Sequence, residues 1–247
     1  AAFPPPALEG DQLEYDAIAR HLASDGDFAL NRGVPTSTRA PLYPLKLAAV
    51  YKATGGSRRA AYAVQAVLGA ATAALLYLLV LAAFDARAAA VAGALAALYP
   101  VFIHYDQRLL SENLMTLLTL ASVPPLWSYA KDGRLAPLAA SALVAGVATL
   151  TRPGTMLLPF AVAPLAALRR PFDWRAPLLY AAVFAAVLLP WQLRNKTMFG
   201  HWTLCSRGPG FGLFVTGLQI QGVPTEEGYR RFGALTREPR YLEPTEP

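Results

Sequence analysis

The residues that could do chemistry are acids and arginines set at the ends of apolar runs. Asp11, Glu14 and Asp16 lie close together near the start, and Arg39 stands just before Pro41-Leu42-Tyr43-Pro44. Asp106 and Glu112 flank the entry to an apolar run beginning near Leu109, Arg152 separates two others, and Arg194-Asn195 closes the last. A carboxylate can take up a proton and an arginine can hold an anion. Such groups at membrane depth are costly, which marks a functional site by default. Each also has a plainer reading. Asp11 could be the N-cap of a helix, with Glu14 completing a capping box. Glu112 could answer a helix dipole, Asp106 could be solvated in a loop, and Arg152 and Arg194 could be anchors that snorkel to headgroups. His21, His104 and His201 are scattered without metal-ligand spacing, so no zinc site is expected. The single cysteine, Cys205, forbids an internal disulfide and reads as a small buried hydrophobe.

The elements that must position these groups are apolar. Hydrophobic residues make up 55% of the chain and charged residues 15%, well below the quarter or so usual for a soluble domain. The apolar residues are bunched: Ala60 to Phe84 runs about 25 residues without a charge, long enough to cross a hydrocarbon core of about 30 Å. Further candidate spans lie near 88–105, 109–130, 135–151, 153–168 and 176–193. The expected fold is therefore an all-α polytopic membrane protein with about six transmembrane helices. Prolines 124, 125, 159 and 164 are tolerable within such spans. Ahead of them, Asp11 to Ala23 reads as a short helix, Ser24 to Thr38 as turn-rich, and Ala40 to Tyr51 as an interfacial or re-entrant segment too short to span.

Six spans put residues 1–58 and 194–247 on one side. The short connection Arg169 to Arg175 carries three arginines, which by the positive-inside rule places it in the cytoplasm and both long segments outside. The organisation expected is a first extracytoplasmic loop with interfacial helices (1–58), a transmembrane domain (59–193) and the start of a C-terminal extracytoplasmic loop or domain (194–247). In that last part, glycines 208, 210, 212, 217 and 222 predict turns, short strands or loop, and Glu226 to Phe232 a short amphipathic helix. The net charge of +6 is spread between apolar runs, so anionic lipid rather than nucleic acid is the expected partner. Both termini read as cut, so a fragment is expected.

The order of the motifs says more than the spacing. Asp11-Gln12-Leu13-Glu14-Tyr15-Asp16-Ala17-Ile18-Ala19 is followed by Pro35-Thr36-Ser37-Thr38-Arg39-Ala40-Pro41-Leu42-Tyr43-Pro44 and Leu98-Tyr99-Pro100. Then come Leu110-Ser111-Glu112-Asn113-Leu114, Gly146-Val147-Ala148-Thr149-Leu150-Thr151-Arg152-Pro153, and Pro190-Trp191-Gln192-Leu193-Arg194-Asn195 with Phe199-Gly200. The series resembles the dolichyl-phosphate-mannose–protein mannosyltransferase-like glycosyltransferases of the GT-C superfamily, which include the lipid A aminoarabinose transferases. The resemblance implies a multi-pass enzyme of a bacterial or archaeal plasma membrane. It implies transfer of a sugar with inversion, outside the cytoplasm, from a polyprenyl- or dolichyl-phosphate donor to a lipid, protein or polysaccharide acceptor. It puts the catalytic base at Asp11 and the donor-phosphate cations at Arg39 and Arg152. Glu14, Asp106, Glu112, Arg194 and Asn195 fall in supporting places. The family's spanning helix before the first outer loop has no counterpart here.

That chemistry is coherent. A lipid phosphate is already a competent leaving group, so the step needs a base for the acceptor hydroxyl and fixed cations where charge collects on the phosphate. Two arginines reduce the need for a divalent metal without excluding one, and no other cofactor is expected. The alternative is a polyprenyl-phosphate or lipid transporter using the same cations. It would place them near the bilayer midplane and carry inverted repeats, which the sequence lacks.

Overall fold

The computed structural model describes residues 7–162, 173–206 and 209–236 of the 247. Helix α1 (Asp11–Ser24) is followed by a small antiparallel hairpin of β1 (Ala29–Asn31) and β2 (Val34–Pro35), then by α2 (Leu42–Thr54) and the long α3 (Arg58–Ala83). Next come α4 (Ala86–Leu98), α5 (Pro100–Asp106), α6 (Glu112–Ala121), α7 (Val123–Asp132) and α8 (Leu135–Thr149). A short helix α9 (Pro153–Val162) opens as a 3-10 turn, and α10 (Arg175–Phe199), α11 (Pro209–Ile220) and α12 (Thr225–Thr236) complete the order. The expected all-α class holds apart from the hairpin, which occupies the stretch read as turn-rich.

Among the described residues, two helices are long and apolar enough to cross a membrane, α3 and α10, or three if the bent pair α4–α5 counts as one. Only 6% of the apolar window of α3 is covered by protein, which leaves its surface to lipid. The prolines explain why other expected spans come in pieces. Tyr99 precedes Pro100 and is extended (φ −67°, ψ 117°), as the proline ring requires, and the chain bends by 51° there. The expected span near 109–130 divides into α6 and α7 at Ser122, where Pro124 and Pro125 cannot donate into the preceding turn. The Ser122 carbonyl at this break also accepts from the Ser141 hydroxyl at 2.8 Å. The expected span 153–168 falls partly outside the described residues.

Two cores hold the helices. On α8, Leu138, Ala142 and Ala145 recur at helical spacing and meet Tyr180, Phe184 and Leu188 of α10, whose spacing of four keeps them on one face. Gly146 lets the two helices close: a β-carbon there would stand 2.9 Å from Val187 Cβ. The second core joins Tyr15 and Ala19 of α1 to Tyr43, Leu47 and Tyr51 of α2, Ala61 of α3 and Leu109 and Leu114 around the start of α6. The segment expected to be interfacial or re-entrant is thus α2, packed between α1 and α3.

Three local expectations are corrected. Asp11 is not an N-cap: Gly10, at φ 53°, takes that place in a conformation suited to glycine, and no side chain caps the helix. Asp11 and Glu14 therefore form no capping box. Asp106 is not in a solvated loop; it ends α5 and accepts a hydrogen bond from Asn113 Nδ2. Of the glycine-punctuated stretch, Pro209–Ile220 is helical as α11, because a glycine inside a helix costs only about 1 kcal/mol and the segment is largely apolar; Gly222, at φ 79°, stands in a turn as expected, and Gly208 lies outside the described residues.

α2 is also tied to α3 by a half-buried lysine. Lys46 Nζ donates to Gln65 Oε1 at 2.8 Å and lies 4.3 Å from the centre of the Tyr43 ring. Burial lowers its pKa from 10.5 to about 7. A folded pKa below the unfolded one means that the unfolded chain binds the extra proton between those values, so stability rises with pH across that window. The melting temperature is expected to climb between pH 7 and 9 and to lose that slope in Lys46→Met; an unchanged slope would contradict the burial account. Gly146→Ala is expected to cost about 1–3 kcal/mol through overpacking against Val187, seen as a lower melting temperature than wild type.

Candidate functional site

The loop before α2 carries the central residue. Arg39 Nε donates to Glu14 Oε2 at 2.8 Å, and its two terminal nitrogens donate to the two oxygens of Asp11, Nη1 at 2.9 Å to Oδ2. A guanidinium fork suits a carboxylate pair of this kind. Asp11 and Glu14 lie one turn apart on α1 and so present both acids to one cation. The Arg39 and Glu14 side chains are 10% and 8% exposed, whereas Asp11 is 48% exposed. Burial works against the Arg39 charge, but the bonds to Asp11 and the field of Glu14 outweigh it and hold its pKa above that of free arginine.

The loop is fixed from both sides. Leu42 N–H donates to the Leu150 carbonyl at 3.0 Å, and Ser206 N–H donates to the Ser37 carbonyl at 2.7 Å. Thr36, Ser37 and Thr38 are buried, and Thr38 N–H donates to the Thr36 hydroxyl at 3.2 Å. Arg194 donates to the Thr36 carbonyl and to Asn195 Oδ1, both at 2.8 Å, and its guanidinium packs among the rings of Phe28, Trp191 and Phe199. Asn195 Nδ2 in turn donates to the Thr203 carbonyl at 2.9 Å. Arg194 and Asn195 therefore bind the end of α10 to the Arg39 loop and the segment after α10.

From Arg39 a line of contacts leads to the second arginine. The guanidinium lies 5.0 Å from the centre of the Tyr15 ring. Tyr15 donates its hydroxyl to Ser111 Oγ at 3.1 Å, and Ser111 donates to Glu112 Oε2 at 3.4 Å. Glu112 pairs through Oε1 with Arg152 Nη1. The backbone delivers Arg152 there: α8 must stop ahead of Pro153, and Arg152 is extended at φ −155°, ψ 128°. Its side chain is 45% exposed. Both arginines also act on one thiol. Burial pushes Cys205 up to about 11, with Arg39 and Arg152 pulling the other way. Their fields converge beside the buried Cys205.

A cavity of about 210 Å³ adjoins Glu112. Its walls are mostly apolar, with Val101, Phe102 and Tyr105 from α5 and Gly69 from α3, while Asp106, Glu112 and Asn113 gather on the polar part. Asn113 links this region to α3 by donating to the Gln65 carbonyl at 2.9 Å.

The structure thus brings Asp11, Glu14 and Arg39 into one cluster and Glu112 and Arg152 into another, with Tyr15 and Ser111 between. Asp106 sits on the cavity beside Glu112, and Arg194 and Asn195 serve as fasteners. The bridging roles of Tyr15 and Ser111 were missed, although both stand inside the quoted motifs next to an acid. Among the described residues no group of three or more metal-ligating side chains is arranged to hold an ion.

Comparison with curated proteins and with solved structures gave no match. The family model described as dolichyl-phosphate-mannose-protein mannosyltransferase matches residues 38–193, which include Arg39, Asp106, Glu112 and Arg152. That match covers more than half of the chain, which belongs to this family of membrane glycosyltransferases.

Proposed function

We propose that this glycosyltransferase takes its sugar from a polyprenyl- or dolichyl-phosphate donor and transfers it with inversion to an acceptor hydroxyl on the extracytoplasmic face. The observation that carries the reading is the joined pair of clusters, a half-exposed carboxylate held by one arginine and a half-exposed arginine held by one carboxylate.

Asp11 is the base. Arg39 aims it, and the carboxylate oxygens carry the lone pairs that take the acceptor proton. As that proton passes to Asp11, the acceptor oxygen bonds to the anomeric carbon, and the carbon–oxygen bond to the phosphate breaks with its electron pair on the phosphate. Arg152, the more exposed cation, takes the growing charge there. Three of the five Arg39 N–H groups serve Asp11 and Glu14, so it reaches the phosphate with the rest. Glu112 orients Arg152, and the apolar cavity beside it suits the first part of an isoprenoid chain. Glu14, Asp106, Arg194 and Asn195 support the site through the bonds described. The family's name supports a dolichyl-phosphate-linked mannose and a protein acceptor among the candidates.

The pairing of α1 with the first turn of α3 favours transfer over transport. Gln65, two turns into α3, donates to the carbonyls of Arg108 and Leu110, and Arg58 at its first turn pairs with Asp16 on α1. Asp16 of α1 therefore stands at one end of a spanning helix, while the cavity beside Glu112 reaches Gly69 and Thr72 farther along α3.

Asp11→Asn in the full-length protein is expected to abolish sugar transfer while leaving binding of the lipid donor close to wild type, measured with radiolabelled polyprenyl-phosphate sugar. Wild-type turnover would remove Asp11 from the role of base. Arg152→Ala is expected to weaken donor binding, and unchanged affinity would count against its phosphate role. Arg39→Ala leaves Glu14 buried without its cation and is expected to cost about 3–5 kcal/mol of stability, against at most about 1 kcal/mol for Arg152→Ala. Equal losses in thermal or denaturant unfolding would contradict that ranking.

A further inference from the structure

A second basic cluster lies at the other end of α1. Asp16 is buried and serves three partners: Arg20 Nε donates to it at 2.9 Å, Arg58 Nη2 at 2.8 Å, and the Tyr51 hydroxyl also donates to it. Burial would raise this carboxyl, but these bonds prevail and hold it below the ordinary aspartate range. One carboxylate is thus shared by two arginines, and the surplus charge faces outward. Beside it opens a pocket of about 350 Å³ lined by Arg20, Ser24, Tyr51, Lys52 and Gly56. The Arg20 guanidinium stands 4.9 Å from the centre of the Tyr51 ring, and Gly56 keeps the wall open, since a β-carbon there would approach Arg20 Nη1 to 3.3 Å. Arg20 is therefore fixed through Nε and Tyr51, with Nη1 beside Gly56 on the pocket wall and Lys52 among the lining residues.

The position of this pocket decides what it meets. Arg58 is the first residue of α3, and 26 residues at 1.5 Å span roughly 39 Å, more than a hydrocarbon core of about 30 Å. The first turn of α3, and the α1 and α2 ends bonded to it, therefore stand at headgroup height. Arg20 lies nine residues beyond Asp11 on α1, roughly 14 Å along the axis, and none of Asp11, Arg39, Glu112 or Arg152 lines the pocket.

We propose that this pocket binds a phosphate ester at the membrane surface, with Arg20 and Lys52 as its cations. A guanidinium fork and a neighbouring ammonium match a phosphate that carries one substituent pointing away. The ester has two sources: the headgroup of an anionic bilayer lipid, or a phosphate on a water-soluble molecule.

The test is acylation of Lys52 in the full-length protein, followed by mass spectrometry with Lys196 as an exposed reference. Nanodiscs of phosphatidylcholine, of phosphatidylcholine with phosphatidylglycerol, and of phosphatidylcholine with added glycerol 3-phosphate form the three arms. Slower labelling of Lys52 relative to Lys196 is expected with phosphatidylglycerol, and Arg20→Gln should raise the lipid fraction needed for half protection about fivefold, the worth of one surface cation. Protection only by glycerol 3-phosphate also supports the site and assigns it to a soluble ester. Lys52 labelling that tracks Lys196 in every arm overturns the proposal, as does protection that survives unchanged in Arg20→Gln.

Discussion

The burial of Arg39 is the constraint on which the site depends. A guanidinium at 10% exposure is tolerable only if charge of the opposite sign is built around it, and here Asp11 and Glu14 provide that charge from successive turns of α1. The same requirement fixes α1 against the loop before α2, which is strapped in turn to the end of α8 and the segment after α10. Removing the cation would leave a buried acid, and removing the acids a buried cation. The arrangement therefore specifies one geometry even where its net contribution to stability is small.

That geometry also explains why two arginines with similar neighbours differ in character. Arg39 is enclosed and shared by two carboxylates, whereas Arg152 is half exposed with one partner. In the proposed reaction the enclosed one orders the base and turns its remaining N–H groups to the phosphate, while the open one has more room for a ligand oxygen. Tyr15 and Ser111 lie between them and join them through uncharged contacts. The cavity beside Glu112 supplies the apolar surface a lipid-linked substrate would need next to such a polar layer.

Much of this was legible in the sequence where the signal is local. The apolar run of α3 and the short helix of α1 follow from period and length, and the order of the acid and arginine motifs pointed to the residues that assemble. Pairings across long separations were not legible: Arg39 with Asp11 spans 28 positions, and Arg194 with Thr36 spans 158. Nothing in the local pattern separates an arginine that fastens two segments from one left open to a ligand. The capping box failed by a single residue, because Gly10 adopts the conformation that makes it the cap and moves Asp11 into the helix. The glycines of α11 read as turns because local propensity was given more weight than the apolar residues between them.

The reaction proposed for this site is a single displacement at a lipid-phosphate sugar, with one carboxylate as base. Its most direct test is the anomeric configuration of the product made by the intact protein from a polyprenyl-phosphate sugar of defined anomer, read by nuclear magnetic resonance. The account predicts transfer with inversion. Retention, or no transfer from a lipid-phosphate donor by protein that is otherwise active, would contradict it.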